Sequence, residues 1–322
     1  MAEATLAQFE ARAMGSALRL TVCAGGDAEG PEAGAGGWAE VVDEFERSEQ
    51  AMSRFRETSE LTELNRAAGT GRDVAVGRRL ERAVVAAARA RRVTAGRFDP
   101  RVLEDLDRLG YRGAALPSVD RPPLARAAPR PSPNDPIADR TAPGRLRINR
   151  PIDLGGIGKG LALRWAGKRL DWRGAGSYLL EAGGDLVVRG PGPDAGDWRV
   201  AIEDPSDPDA DEPLAVIAAT DVAVMTSSVG VHAWMVDGRP VHHLLDPTTG
   251  RPGGEGLLAV TVAGRDPAWA EVWSKALFLA GHAGIAALAR GRGLAAWWVS
   301  ADGGLEMTPA ARARTLWVAA ES

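Results

Sequence analysis

The residues best suited to chemistry concentrate in Asp153-Leu154-Gly155-Gly156-Ile157-Gly158-Lys159-Gly160, where four glycines, an acid and a lysine share eight positions. Glycine has no Cβ and reaches positive φ, so such a stretch turns tightly and lets its N–H groups approach a ligand. Amides presented in this way cradle oxyanions. The spacing of Leu161, Ala162, Trp165, Ala166 and Leu170 predicts a helix opening from the loop, and a helix N-terminus favours negative charge. Lys159 stands at that end as a mobile cation. The stretch lacks the Lys-Ser/Thr ending of a P-loop and the Gly-x-Gly-x-x-Gly spacing of a dinucleotide-binding turn. Taken alone, it reads equally as a phosphate cradle or as a bare turn between strand and helix.

A second concentration lies on a predicted helix, Trp269 to Leu279, which carries Glu271, Ser274 and Lys275 on neighbouring faces. Glu271 precedes Lys275 by four residues, the favoured order for a helical ion pair. Its neighbours Trp273, Ala276 and Leu277 predict burial. Between the two concentrations, Val241 to Leu245 reads as a strand closed by the turn Asp246-Pro247-Thr248-Thr249-Gly250, with His242 and His243 near its end.

The remaining elements must position these groups. Residues up to Cys23 alternate as a strand entered through Met14-Gly15-Ser16, a glycine-rich loop is expected over 25–37, and Trp38 to Ser53 has helical spacing. Thr58 or Ser59 is the expected cap of the next helix, Val76 to Val93 reads as an amphipathic helix, and Pro100 suits the start of a short helix, Arg101 to Leu109. A Pro/Ala/Arg-rich stretch, about 113–144, is expected to be a long exposed loop. Strands dominate afterwards: Ser177–Ala182 and Leu186–Arg189 form a hairpin around Gly183-Gly184-Asp185, followed by Trp198–Ile202, Leu214–Ala219, Ala223–Met225, Leu258–Ala263 and Ala295–Val299. Helices early and strands late point to an α+β fold with mixed or antiparallel sheets and flanking helices.

The 322 residues carry a formal net charge of −4 with both signs scattered, which gives no basic stripe for nucleic acid. No window is long enough to span a bilayer, and acids stand where a signal peptide has positive charge and an apolar run, so the chain is expected to be cytoplasmic without membrane insertion. Cys23 is the single cysteine, which excludes an intramolecular disulfide and predicts a buried thiol.

Several motifs, in order, resemble the ApbE-type flavin transferases. They are Met14-Gly15-Ser16, Met52-Ser53-Arg54-Phe55 with Ser59-Glu60-Leu61 and Asn65, Phe98-Asp99, Asp153 to Gly160, Ala182 to Leu186, Thr226-Ser227, His243 to Gly250, and Ala270 to Gly281. The set covers nearly the whole chain outside the proline-rich stretch, and the resemblance implies one domain of that fold over residues 1–322. It further implies an enzyme that splits FAD, releases AMP and attaches FMN through a phosphodiester to a Ser or Thr of an acceptor protein, of the FMN-binding electron-transfer type. Met14, Phe98, Asp99, Asp153, Lys159 and Leu245 then face the dinucleotide, and His243 serves as general base toward the acceptor hydroxyl. On residue type alone, Met14 and Phe98 also read as core, and Asp99 and Asp153 as turn or capping residues.

The same resemblance implies a Mg²⁺ held by the Gly156 carbonyl and by an Asp and a Thr on the late helix. Here those positions are Glu271 and Lys275, with Ser274 as a further side-chain oxygen. An ammonium has no lone pair to donate, so Lys275 puts the metal in question. Either Lys275 places its charge where the metal would sit and acts in catalysis, or the site has lost its chemistry. FAD storage, or hydrolysis of FAD to FMN and AMP, are the alternatives to transfer. Ser228, where the family has glycine, and Arg164, where it has an acid, are smaller departures.

Overall fold

The computed structural model describes residues 5–24, 29–111, 130, 132, 135–207, 209–230 and 233–319. Its helices are α1 (Glu29–Met52), α2 (Glu60–Arg66), α3 (Arg78–Val93), α4 (Leu103–Arg108), α5 (Gly158–Trp172), α6 (Pro267–Phe278), α7 (Gly281–Gly291) and α8 (Pro309–Arg312). An eight-stranded sheet runs in chain order through Thr5–Ala13, Ser16–Ala24, Ser177–Ala182, Asp185–Arg189, Ala223–Ser228, Leu257–Gly264, Ala295–Ser300 and Leu305–Met307. Every neighbouring pair in it is antiparallel. The expected α+β class with antiparallel sheets and flanking helices is the fold observed.

Alternation decides which way each strand faces. Leu18, Leu20 and Val22 are fully buried on one face of the sheet, where they meet Phe45 of α1, Ala166 and Leu170 of α5, and Leu277 of α6. The opposite face, with Val188, Val224 and Trp297, packs against a three-stranded sheet of Thr315–Val318, Ala215–Ala219 and Trp198–Ile202. A further cluster joins Leu61 and Leu64 of α2, Leu80 and Val84 of α3, Leu161 of α5 and Val272 of α6. Helices α5 and α6 thus belong to two cores at once, which fixes them against each other.

Four expectations change. The stretch foreseen as a loop over 25–37 is helical from Glu29 onward. Gly37 serves packing: it is buried, and a Cβ there would stand 2.8 Å from Leu170 Cδ2, so glycine lets α1 approach α5. The Pro/Ala/Arg-rich loop ends before 144, because Asp139–Ala142 and Arg145–Arg147 form a hairpin around Gly144, whose φ of 69° needs glycine. Most of the rest of that stretch lies outside the described residues. The strand expected over Val241 to Leu245 divides into Arg239–His242, paired with Ala233–Val236, and Leu245–Asp246, paired with Arg251–Pro252. His243 and Leu244 lie between them, and the Leu244 carbonyl accepts from Gly253 N–H at 3.0 Å. Beyond the strand expected over Ala295–Val299 and observed over Ala295–Ser300, the chain adds Leu305–Met307, α8 and Thr315–Val318.

Candidate active site

The glycine stretch is held by alternate residues pointing in opposite directions. Ile152, Leu154, Ile157 and Leu161 are buried in the core beneath it, leaving Asp153, Gly155, Gly156 and Lys159 on the other side. Asn65 clamps its entry: the Asn65 amide donates to the Ile152 carbonyl and accepts from the Ile152 N–H, both at 2.9 Å. Asp153 N–H donates to the Pro100 carbonyl at 2.7 Å. At the far end, a Cβ on Gly160 would come within 2.6 Å of Ala268 Cα, so only glycine allows α5 to start against α6. That close approach lets the Gly160 N–H donate to Glu271 Oε2 at 2.8 Å.

Above the loop opens a cleft with a cavity volume of about 1230 Å³. One wall is charged. Lys159, in the first turn of α5, lies 2.5 Å from Asp185 Oδ2, and Asp185 Oδ1 accepts from Thr226 N–H at 2.9 Å. Lys275 Nζ stands 3.4 Å from Glu271 Oε1 across one turn of α6. The Lys275 stem lies over Gly156: a Cβ there would be 3.2 Å from Lys275 Cδ and 2.8 Å from Phe98 Cε2. Burial works against the Lys159 charge, but Asp185 and then Glu271 outweigh it and hold its pKa above the ordinary lysine value. Burial pushes the Glu271 carboxyl up, opposed by Lys275.

The other wall is aromatic. Tyr111 stacks on Trp234 at 5.5 Å between ring centroids and on His243 at 5.7 Å, and meets Phe55 edge-on at 6.2 Å. The Arg54 guanidinium lies over the Phe55 and Tyr111 rings at 4.3 and 5.3 Å while its Nε stands 2.6 Å from Asp153 Oδ2. Burial, reinforced by Asp153, raises the Tyr111 phenol to about 12. His242 turns away from this wall to meet Phe278 edge-on, and burial lowers its imidazole to about 4.

The model described as "ApbE family" matches residues 14–298, most of the chain and both walls of the cleft. This chain belongs to the ApbE family. Among ApbE relatives named "FAD:protein FMN transferase", that of Vibrio cholerae is 31% identical over 225 residues, covering 68% of this chain and 65% of its own length. The Escherichia coli protein of the same name is 31% identical over 155 residues. That match spans 47% of this chain and 43% of the relative, less than half its length. Among solved structures, the apo flavinyl transferase ApbE of Pseudomonas stutzeri superposes with a TM-score of 0.79 at 25% identity, covering 98% of both chains. An ApbE protein of Thermotoga maritima gives 0.80 at 24% identity, covering 96% of this chain and 99% of its own, a likeness of fold.

The residues singled out in the sequence divide by position in this ApbE fold. Met14, Phe98, Asp99, Asp153, Gly156, Lys159, His243, Leu245 and Lys275 all line the cleft; Glu271 and Ser274 do not. Ser274 is fully buried, its hydroxyl donating to the Glu271 carbonyl at 2.9 Å and lying 2.7 Å from Ser227 Oγ. Asp99 is enclosed by arginines: Arg101 binds both its oxygens at 2.9 and 2.7 Å, and Arg91 adds a contact at 2.8 Å. Burial alone would raise its pKa, but Arg101 and Arg91 hold it below the usual carboxylate range. Arg164 pairs with Asp266, the residue that caps α6.

Three residues of the site were named without a role or passed over in the sequence: Asp185, Arg54 and Tyr111. An acid directly after Gly183-Gly184 was the available signal for Asp185. Nothing local marks Tyr111, whose partners are distant in sequence.

The donor set does not fit Mg²⁺. That ion asks for near-octahedral oxygen ligands at about 2.0–2.1 Å. Here one Glu271 oxygen is taken by Gly160 N–H and the other faces an ammonium, while the Ser274 hydroxyl is engaged in the core. Among the described residues no cluster of three or more His, Cys, Asp or Glu side chains could hold a metal ion. No described helix is long and apolar enough to cross a membrane.

Proposed function

We propose that this chain, acting as one transferase domain, moves FMN from FAD to a Ser or Thr hydroxyl of an acceptor protein. The observation that carries this reading is one cleft with the glycine loop and two lysines on one side and His243 on the other. Lys159 and Lys275 hold the diphosphate against the glycine loop, where Gly156 allows close approach; Met14, Phe98 and Leu245 give apolar faces to the rings, and Asp99 and Asp153 border the site. The acceptor oxygen attacks the FMN-side phosphorus, the bond from that phosphorus to the AMP oxygen breaks, and AMP leaves with the bridging oxygen. His243 takes the hydroxyl proton. Phosphoryl-type transfer asks mainly for positioning and for charge placed in advance, which such a cleft supplies.

An FMN-binding electron-transfer protein that presents an exposed Ser or Thr is the acceptor this chemistry suits. The test incubates the purified chain with FAD and such a protein, following AMP by chromatography and the acceptor by mass spectrometry. Stoichiometric AMP and an acceptor heavier by one phosphodiester-linked FMN are expected. AMP without a labelled acceptor would make the chain a hydrolase. Intact FAD, bound and unchanged, would make it a storage protein.

A further inference from the structure

The two ion pairs of the charged wall share an orientation. In the Lys159–Asp185 pair the lysine side chain is 28% exposed and the aspartate 2%; in the Lys275–Glu271 pair the values are 16% and 1%. Each acid therefore sits behind its lysine, and both dipoles turn their positive ends to the cleft. Lys159 is tied closely at 2.5 Å, whereas Lys275 keeps a looser contact of 3.4 Å. Lys275 also crosses Gly156, the residue whose carbonyl the family resemblance assigns to a metal, so its ammonium emerges beside the glycine loop. Its acid partner is fixed independently by the Gly160 N–H.

We propose that Lys275, backed by Glu271, takes the place of a divalent cation in this cleft, so that the chain binds the diphosphate of FAD without metal. The inference rests on the reading of the cleft as an FAD site. A compact ammonium donates to phosphate oxygens as a point charge. Glu271, held in turn by the Gly160 N–H, orients the lysine side chain across the loop. The anion it receives is a diphosphate ester lying against the glycine loop.

The test titrates metal-stripped full-length chain with FAD by calorimetry, once with excess EDTA and once with Mg²⁺. Equal affinity within about threefold is expected, together with no heat from Mg²⁺ added alone. Lys275→Met should weaken FAD binding on the order of 10- to 100-fold in both buffers, the loss of a charged hydrogen bond, while Lys275→Arg should recover most of it. The paired change Glu271→Asp with Lys275→Thr should create a dependence on Mg²⁺ that the parent lacks. Binding by the parent that falls more than tenfold in EDTA and returns with Mg²⁺ would overturn the inference while leaving the FAD site intact. Absence of FAD binding in either buffer would overturn both. The parent comparison uses no variant and so holds even if Lys275→Met, which strands Glu271, fails to fold.

Discussion

On one side of the cleft, Lys159 and Lys275 are each backed by an acid buried behind them; on the other, Tyr111 stacks on Trp234 and His243 and meets Phe55 edge-on, with Arg54 over the Phe55 and Tyr111 rings. The charged wall is rigid in a particular sense, because removing either member of a pair leaves an uncompensated charge in the core. The aromatic wall is graded. Its contacts are each worth little, and another apolar group can fill much of the lost volume. In the function proposed above, the first wall binds the diphosphate and the second presents the base.

The largest effect expected separates those two tasks. His243→Ala should lower FMN transfer about 10²- to 10⁴-fold, the usual contribution of a general base, while calorimetric FAD affinity stays within about threefold. A matching loss of FAD affinity would move His243 into the binding wall. Next comes Lys159→Met, which leaves Asp185 buried without its cation. Chemical denaturation should show a loss of about 3 kcal/mol, the low end for a broken buried pair because the lysine keeps some exposure. Adding Asp185→Asn should recover stability but not FAD binding; recovery of both would refute the charged wall's role.

His242 sharpens the contrast with its neighbour His243. Its imidazole sits near 4 in the fold and near 6.5 when unfolded, so between those values the unfolded chain binds the extra proton. The stabilising preference for neutral His242 is therefore fully present above about pH 6.5 and is lost as pH falls toward 4, on the order of 3 kcal/mol in all. Denaturation curves for the parent should lose more stability across that window than those of His242→Gln, and equal slopes would count against burial as the cause. The smallest effect belongs to Tyr111→Leu, which removes the ring stacked on His243. A cost of about 1 kcal/mol in stability is expected, with transfer reduced more than FAD affinity and the pH profile of transfer displaced. An unchanged profile would reduce Tyr111 to packing.

Legibility followed the same division. The charged wall could be largely read from sequence, because Asp153 to Gly160 is contiguous and Glu271 and Lys275 are related by one helical turn. Asp185 escaped assignment since its pairing with Lys159 spans a helix and a strand. The aromatic wall was nearly invisible: Phe55, Tyr111, Trp234 and His243 come from four separate segments, and only folding stacks them. The eight-stranded antiparallel sheet was foreshadowed by period-two alternation in its buried strands. The helical start at Glu29 was hidden because glycine and proline read as loop signals, whereas Gly37 serves the approach of α1 to α5. The break at His243–Leu244 arises because the flanking residues pair in two different hairpins, with Ala233–Val236 before it and Arg251–Pro252 after it, which local pattern does not encode.

The most direct measurement is a crystal structure of the full chain grown with FAD and magnesium. The diphosphate should lie against the loop Gly155 to Lys159 with the Lys275 ammonium in hydrogen-bonding range, no ion between the Gly156 carbonyl and Glu271, and His243 facing the FMN-side phosphorus. A metal ion coordinated by Gly156 and Glu271 with Lys275 displaced, or a diphosphate bound away from the glycine loop, would contradict the account.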